Sequence, residues 1–164
     1  MHSGLYKPVF QTGYVTQDID RAKEQFARTM GIANWYTSPA ASLPSQNGGS
    51  MDVQIAMAFV GPTMVEVIAC KGGDDALYRD ALPDDRFAVR LHHLGFRLHS
   101  DEEWEAMLAE GKRQGLRIAM DVKTASTRAL YFDTREVLGH YLEYLYYFDE
   151  PNSSIPRVPQ NPVE

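Results

Sequence analysis

Gln11-Thr12-Gly13-Tyr14 and His93-Leu94-Gly95-Phe96 lie 82 residues apart and read alike: a hydrogen-bonding residue, one spacer, a glycine, then an aromatic ring. The same order of elements follows each. Behind the first, Gln17-Asp18-Ile19-Asp20 leads into Ala22, Phe26 and Met30. Their four-residue spacing predicts an amphipathic helix over about Arg21 to Met30, capped by Asp18 or Asp20 and ended at Gly31. Behind the second, Ser100-Asp101-Glu102-Glu103 has the form of a capping box, and the helix runs to about Gln114 with Trp104 and Leu108 on its apolar face and Gly115 as its stop. A second pair of matching runs, Met64-Val65-Glu66-Val67-Ile68 and Tyr141-Leu142-Glu143-Tyr144-Leu145, recurs at an offset of 77 residues. The shortfall of five falls where the first half carries its longer loop, as an insertion would.

These matches predict an internal duplication. In the first half strands are expected at Val9 to Thr16, Met51 to Val60 and Thr63 to Cys70, with Gly61-Pro62 as a turn, an extended piece at Trp35 and Tyr36, and a loop from Ser38 to Ser50. In the second they are expected at Leu91 to Leu98, Leu116 to Asp121, Thr127 to Asp133 and His140 to Phe148, with Gly139 in the last turn. The fold class is therefore α+β, built from two β-α-β-β-β modules. One domain is expected over residues 1–148, with modules at 8–70 and 90–148 and a connector at 71–89. The tail, 149–164, carries four prolines and is expected to lack regular structure, either disordered or laid across a neighbour.

A chain of 164 residues, 44% apolar, can bury a real core without staples. Its net charge of −6, with no run of Lys or Arg, argues against a nucleic-acid partner. The single cysteine, Cys70, excludes an internal disulfide and suits a reducing compartment. With no signal-peptide-like start and no long apolar run, the expected location is the cytoplasm, away from membranes.

Alternation along a strand puts Val9, Gln11 and Gly13 on one face, and Leu91, His93 and Gly95 likewise. Met64, Glu66 and Ile68 form a third such set, and Tyr141, Glu143 and Leu145 a fourth. Glu66 and Glu143 sit in strands that otherwise read as buried, where an unpaired carboxylate is costly. Solvent-facing carboxylates and satisfied core polar groups are the plain alternative. Equivalent placement in both halves favours a common purpose: one imidazole, two carboxylates and one amide oxygen make a coherent ligand set for a divalent ion.

On Gln11-Thr-Gly-Tyr-Val-Thr-Gln-Asp-Ile-Asp-Arg-Ala, His92-His93-Leu-Gly-Phe, and Tyr131-Phe-Asp-Thr followed by Gly139-His-Tyr-Leu-Glu143-Tyr-Leu, the chain resembles the glyoxalase, bleomycin-resistance and extradiol-dioxygenase (vicinal oxygen chelate) superfamily over about residues 8–148. The resemblance implies two modules whose mixed sheet curves into a cleft around one divalent metal ion (Zn, Ni, Mn, Co or Fe), held by Gln11, Glu66, His93 and Glu143. It also implies a homodimer. The ligand order is similar to that of one form of glyoxalase I, which makes Glu143 and Glu66 the catalytic carboxylates of a lyase or isomerase. Glu143 would remove a proton beside the carbonyl of a small substrate while the ion carries the developing negative charge, and Glu66 would serve the other face. The arginine and asparagine that hold glutathione in that enzyme are replaced here by Val15 and Cys70, so glutathione recognition does not carry over.

Three rival readings use the same positions. Extradiol dioxygenases of this resemblance carry a histidine where Gln11 stands. Methylmalonyl-CoA epimerase has a further glutamate before its third strand, where this chain offers Gly49-Ser50-Met51-Asp52. A non-enzymatic sequestering protein of the bleomycin-resistance kind would use an aromatic cleft, for which Trp35, Tyr36, Phe59, Tyr131, Tyr141 and Tyr144 are candidates, although core packing is the default for most of them. Of the remaining residues, His92 should point away from His93 and pack, His140 is either a support for a ligand carboxylate or exposed, His99 is expected in solvent, and Asp133 with Arg135 reads as a surface ion pair.

Overall fold

The computed structural model describes residues 4–163. In chain order its elements are β1 (Val9–Thr16), α1 (Ile19–Met30), β2 (Tyr36–Thr37), β3 (Ala41–Pro44), β4 (Ser50–Val60), β5 (Thr63–Gly73), α2 (Ala76–Arg79), β6 (Val89–Leu98), α3 (Asp101–Arg113), β7 (Ile118–Lys123), β8 (Arg128–Phe132), α4 (Arg135–Leu138), β9 (Tyr141–Tyr146) and β10 (Gln160–Asn161). The α+β class and the β-α-β-β-β order of each half are those read from the sequence. Among the described residues no helix is long and apolar enough to cross a membrane. The described residues form two compact units, residues 11–92 with 157–163, and residues 4–10 with 93–156.

In the unit of residues 11–92 the strands run in the order β10-β4-β5-β1, with β2 and β3 paired to β4. Strands β1 and β5 are parallel, and β4 and β5 form a long antiparallel hairpin. The cap of α1 is Asp18, whose carboxylate accepts from the backbone of Asp20 and Arg21 at 3.0 and 3.1 Å. Ile19, Ala22 and Phe26 of α1 cover Ala56, Ala58, Val65, Val67 and Ala69, so the helix takes one face of the β4–β5 sheet. Met30 was expected in that stripe but is 61% exposed. The left-handed turn at Gly31 (φ 71°) folds the chain back, and Ile32 fills the core in its place. Two segments expected to be irregular contain short elements: β3 pairs with β4 inside the 38–50 loop, and α2 lies in the connector.

The tail also differs from expectation. It carries two 3-10 turns, Glu150–Asn152 and Ile155–Arg157, and then β10, which pairs in parallel with Phe59 and Val60. Asn161 anchors it. The side-chain oxygen accepts from the backbone of Ala33 and Asn34 at 3.1 and 2.9 Å, and the amide donates to the Asn34 carbonyl at 2.9 Å. Three bonds on one buried side chain fix a segment whose prolines forbid a longer ladder. Replacing Asn161 with alanine leaves those backbone groups unanswered and is expected to cost about 1–3 kcal/mol, read as a lower urea midpoint at unchanged m-value.

In the unit of residues 4–10 with 93–156 the order is β6-β9-β8-β7, with β6 and β9 parallel and the rest antiparallel. Ser100 caps α3 through the Glu103 amide, and the Glu103 carboxylate reaches back to the His99 amide at 2.7 Å. Trp104 and Met107 pack on Phe96, Leu98, Leu130, Phe132 and Tyr144. The buried Tyr144 hydroxyl donates to the Leu5 carbonyl at 2.7 Å, tying the N-terminal segment to β9.

Candidate metal centre

Because α1 occupies the Val65, Val67 and Ala69 face of β5, alternation leaves Met64, Glu66, Ile68 and Cys70 on the other. The parallel register places Gln11 opposite Met64 and Gly13 opposite Glu66. Both polar side chains are buried, and the Gln11 amide nitrogen donates to the Glu66 carboxylate at 2.7 Å. With its nitrogen so engaged, Oε1 is the amide atom that would be offered to a cation.

The other unit repeats this. Since α3 covers Phe96, Leu98 and Tyr144, His93, Gly95 and Glu143 lie on the opposite face. His93 stands opposite Tyr141, and Gly95 opposite Glu143. Thus in each unit a buried glutamate faces a glycine, and the donor two residues before that glycine is its partner. His93 is fully buried and its Nε2 lies 3.1 Å from the Glu143 carboxylate. These two atoms can share a proton or share an ion, and exchanging one for the other releases the proton. Tyr131 packs on the imidazole, ring centres 4.9 Å apart, and Tyr141 packs on Tyr131.

The donor chemistry of both pairs fits a hard or borderline divalent ion: carboxylate, imidazole and amide oxygen, with no thiolate. Cys70 is half-buried, and desolvation first, then the charges of Asp75 and Asp52, pushes its thiol up to about 12. Without a cation beside it, the thiol is therefore protonated at neutral pH. Val15, Ile68 and Cys70, on the Gln11 and Glu66 face, line a cavity of about 440 Å³ together with Tyr78, Leu82 and Pro83. That volume is within the usual range for a small-molecule site.

The other residues singled out in the sequence divide. His92 is buried against Tyr78, with Nε2 2.8 Å from the Leu77 carbonyl oxygen. His140 makes a local contact, Nδ1 to the Tyr141 carbonyl at 2.9 Å, which requires the proton on Nδ1. His99 is exposed. Asp133 pairs with both Arg135 and Arg117, and the Arg135 guanidinium holds its carboxyl well below the usual range. Of the candidate cleft aromatics, Trp35 packs on Phe26 and Tyr144 lies in the α3 core, whereas Tyr131 and Tyr141 belong to the His93 cluster. Arg97 is absent from the sequence reading. It lies four residues past His93 on the same face, opposite Leu145, a position that strand alternation alone could have flagged.

Comparison with known proteins agrees with this architecture. Residues 10–132 match the family model described as glyoxalase/bleomycin resistance protein/dioxygenase superfamily. A search of curated protein sequences finds no significant match. Among solved structures, a selenomethionine methylmalonyl-CoA epimerase superimposes at a TM-score of 0.56, with 21% identity, over 85% of this chain and 94% of the other. The methylmalonyl-CoA epimerase of Mycobacterium tuberculosis gives 0.60 with 13% identity, over 92% and 95%. A variant of the Streptomyces coelicolor enzyme in complex with 2-nitronate-propionyl-CoA gives 0.55 with 14% identity, over 86% and 94%. With three quarters of its length matched by the family model and its fold shared with these structures, the chain belongs to the glyoxalase/bleomycin resistance protein/dioxygenase superfamily.

Proposed function

We propose that this protein is a metal-dependent lyase or isomerase of the glyoxalase type, in which Gln11, Glu66, His93 and Glu143 together hold one divalent ion. The reaction is proton abstraction beside the carbonyl of a small substrate. The observation that carries the reading is the repeated placement: a buried glutamate opposite a glycine, beside a buried donor two residues earlier, in both units. Two buried carboxylates are expensive to maintain without positive charge near them, and solvation does not explain their matching registers.

When bound, the ion supplies positive charge at the carbonyl oxygen and so lowers the cost of removing the neighbouring proton. Glu143 takes that proton. His93, 3.1 Å from its carboxylate, orients it, and the Tyr131 ring fixes the imidazole plane. Glu66, held in place by the Gln11 amide, would return a proton to the other face from its acid form and end as the carboxylate. Gly13 and Gly95 add no side chain beside either carboxylate. That the similar structures include enzymes named as epimerases favours isomerisation over ring cleavage. The reading further includes a cytoplasmic homodimer.

Elemental analysis of purified protein tests the centre. About one divalent ion per chain, lost in the Glu66→Ala, Glu143→Ala double variant, is the expected result. No ion after incubation with zinc, nickel, cobalt, manganese and ferrous iron would overturn the reading and put sequestration of a small molecule first.

A further inference from the structure

Val15 and Ile68 follow Gly13 and Glu66 by two residues on β1 and β5, stand opposite each other in the parallel register, and so extend the Glu66 face by one step. Cys70 extends it by another. These three side chains line the cavity of about 440 Å³, whose wall therefore starts about 7 Å along β5 from Glu66 and continues to about 13 Å from it. Further wall comes from the connector, through Tyr78 of α2 and through Leu82 and Pro83. Gln17, the residue after β1, fixes that segment. Its amide nitrogen donates to the Pro83 and Arg86 carbonyls at 2.8 and 2.9 Å, and its oxygen accepts from the Ala88 amide at 2.9 Å. Tyr78 is held against His92, ring centres 5.1 Å apart.

The lining is sorted by depth. Val15, Ile68 and Tyr78 are buried and Leu82 and Pro83 half-buried, whereas Lys71, Arg79 and Asp84 are exposed. Thr16, also buried, spends its hydroxyl on the Asp18 backbone. The deep part of the cavity is thus apolar, and its charges stand at the mouth. There Lys71 and Arg79 are matched by Asp75 and Asp84, with Arg79 3.9 Å from each carboxylate, so the mouth carries no net charge. A polyanionic carrier gains no net attraction from such a mouth, whereas an uncharged arm gains affinity with every methylene it takes out of water. A connector that served only to cover Val15 and Ile68 would pack onto them, as interiors do. This one is bonded at a distance that leaves space. We infer that the cavity receives an uncharged apolar arm, and that the substrate is a small carbonyl compound bearing this arm itself rather than a thioester or adduct of an anionic carrier. The carbonyl end of the inference rests on the proposed metal centre; the cavity does not.

The test compares α-ketooctanoate with pyruvate, which share a chelating head and differ by the apolar arm. Each is titrated calorimetrically into wild type and Leu82→Trp, with and without manganese. In parallel, labelling of Cys70, the single cysteine, by methyl methanethiosulfonate is timed in wild type with each acid present. Wild type is expected to bind α-ketooctanoate at least about thirtyfold tighter, the effect of burying about half of its additional carbons. That acid slows the labelling and pyruvate does not. Leu82→Trp, which fills the cavity from the connector, abolishes the preference without changing the affinity for pyruvate. Propionyl-CoA leaves the labelling rate unchanged at concentrations where α-ketooctanoate lowers it. Equal affinities in wild type, a preference surviving in Leu82→Trp, binding of neither acid, or protection of Cys70 by propionyl-CoA would each overturn the inference. If manganese changes neither affinity while the preference and the protection persist, the metal reading fails and the cavity stands. If manganese strengthens both acids equally and no preference exists, the reverse holds.

Discussion

Replacing Gly111 with alanine is expected to lower the melting temperature, against the sign that helix propensity alone would give. Gly111 lies in α3, where alanine is favoured by about 1 kcal/mol. Yet a β-carbon there would come within 2.1, 2.6 and 2.8 Å of Cζ, Cε1 and Cε2 of Phe132. Phe132 is 1% exposed and packed among Trp104, Met107, Leu130 and Tyr144, so a shift of its ring breaks that packing. Overpacking of this kind costs about 1–3 kcal/mol, and a contact this short belongs at or beyond the upper end. The expected net loss is about 2 kcal/mol, or roughly 4–8 °C for a protein of this size. Thermal denaturation followed by circular dichroism decides it. Shortening the ring in a Gly111→Ala, Phe132→Leu double variant should recover part of the loss, because the two residues share one contact. An unchanged or raised melting temperature in the single variant would mean that α3 does not lie this close to its sheet.

The second large effect concerns metal. If the four proposed ligands hold one ion, saturating it at a thousandfold excess over Kd stabilises the folded state by about 4 kcal/mol. At roughly 2–4 °C per kcal/mol, the melting temperature should rise by about 8–16 °C on adding the cognate ion and fall back with a chelator. His93→Ala should lose the response. A melting temperature indifferent to every divalent ion tested, in protein shown to be folded, would remove the centre from consideration.

Much of the architecture was legible because it is local. Asp18 and Ser100 cap their helices through bonds to residues two or three positions away, and Gly31 ends α1 through its own backbone angle. The polar positions Gln11, Glu66, His93 and Glu143 were legible for a different reason: duplication wrote the same exception to burial twice. Which of them touch was not, since Gln11 and Glu66 meet across 55 residues and only the parallel register of β1 and β5 joins them. The same limit hid β3, β10 and the role of Asn161, whose partners are 127 and 128 residues away. Arg97 was missed because a lone arginine near a strand end reads as surface, although alternation from His93 already places it on that residue's face.

Each unit includes a segment distant from it in sequence: residues 157–163 belong with 11–92, and residues 4–10 with 93–156. The strand that completes the unit of residues 11–92, β10, is therefore separated from its partner β4 by the whole of residues 93–156, a pairing of long sequence separation that makes a slow folding step. A chain cut between residues 92 and 93 would give two fragments, each lacking a segment carried by the other.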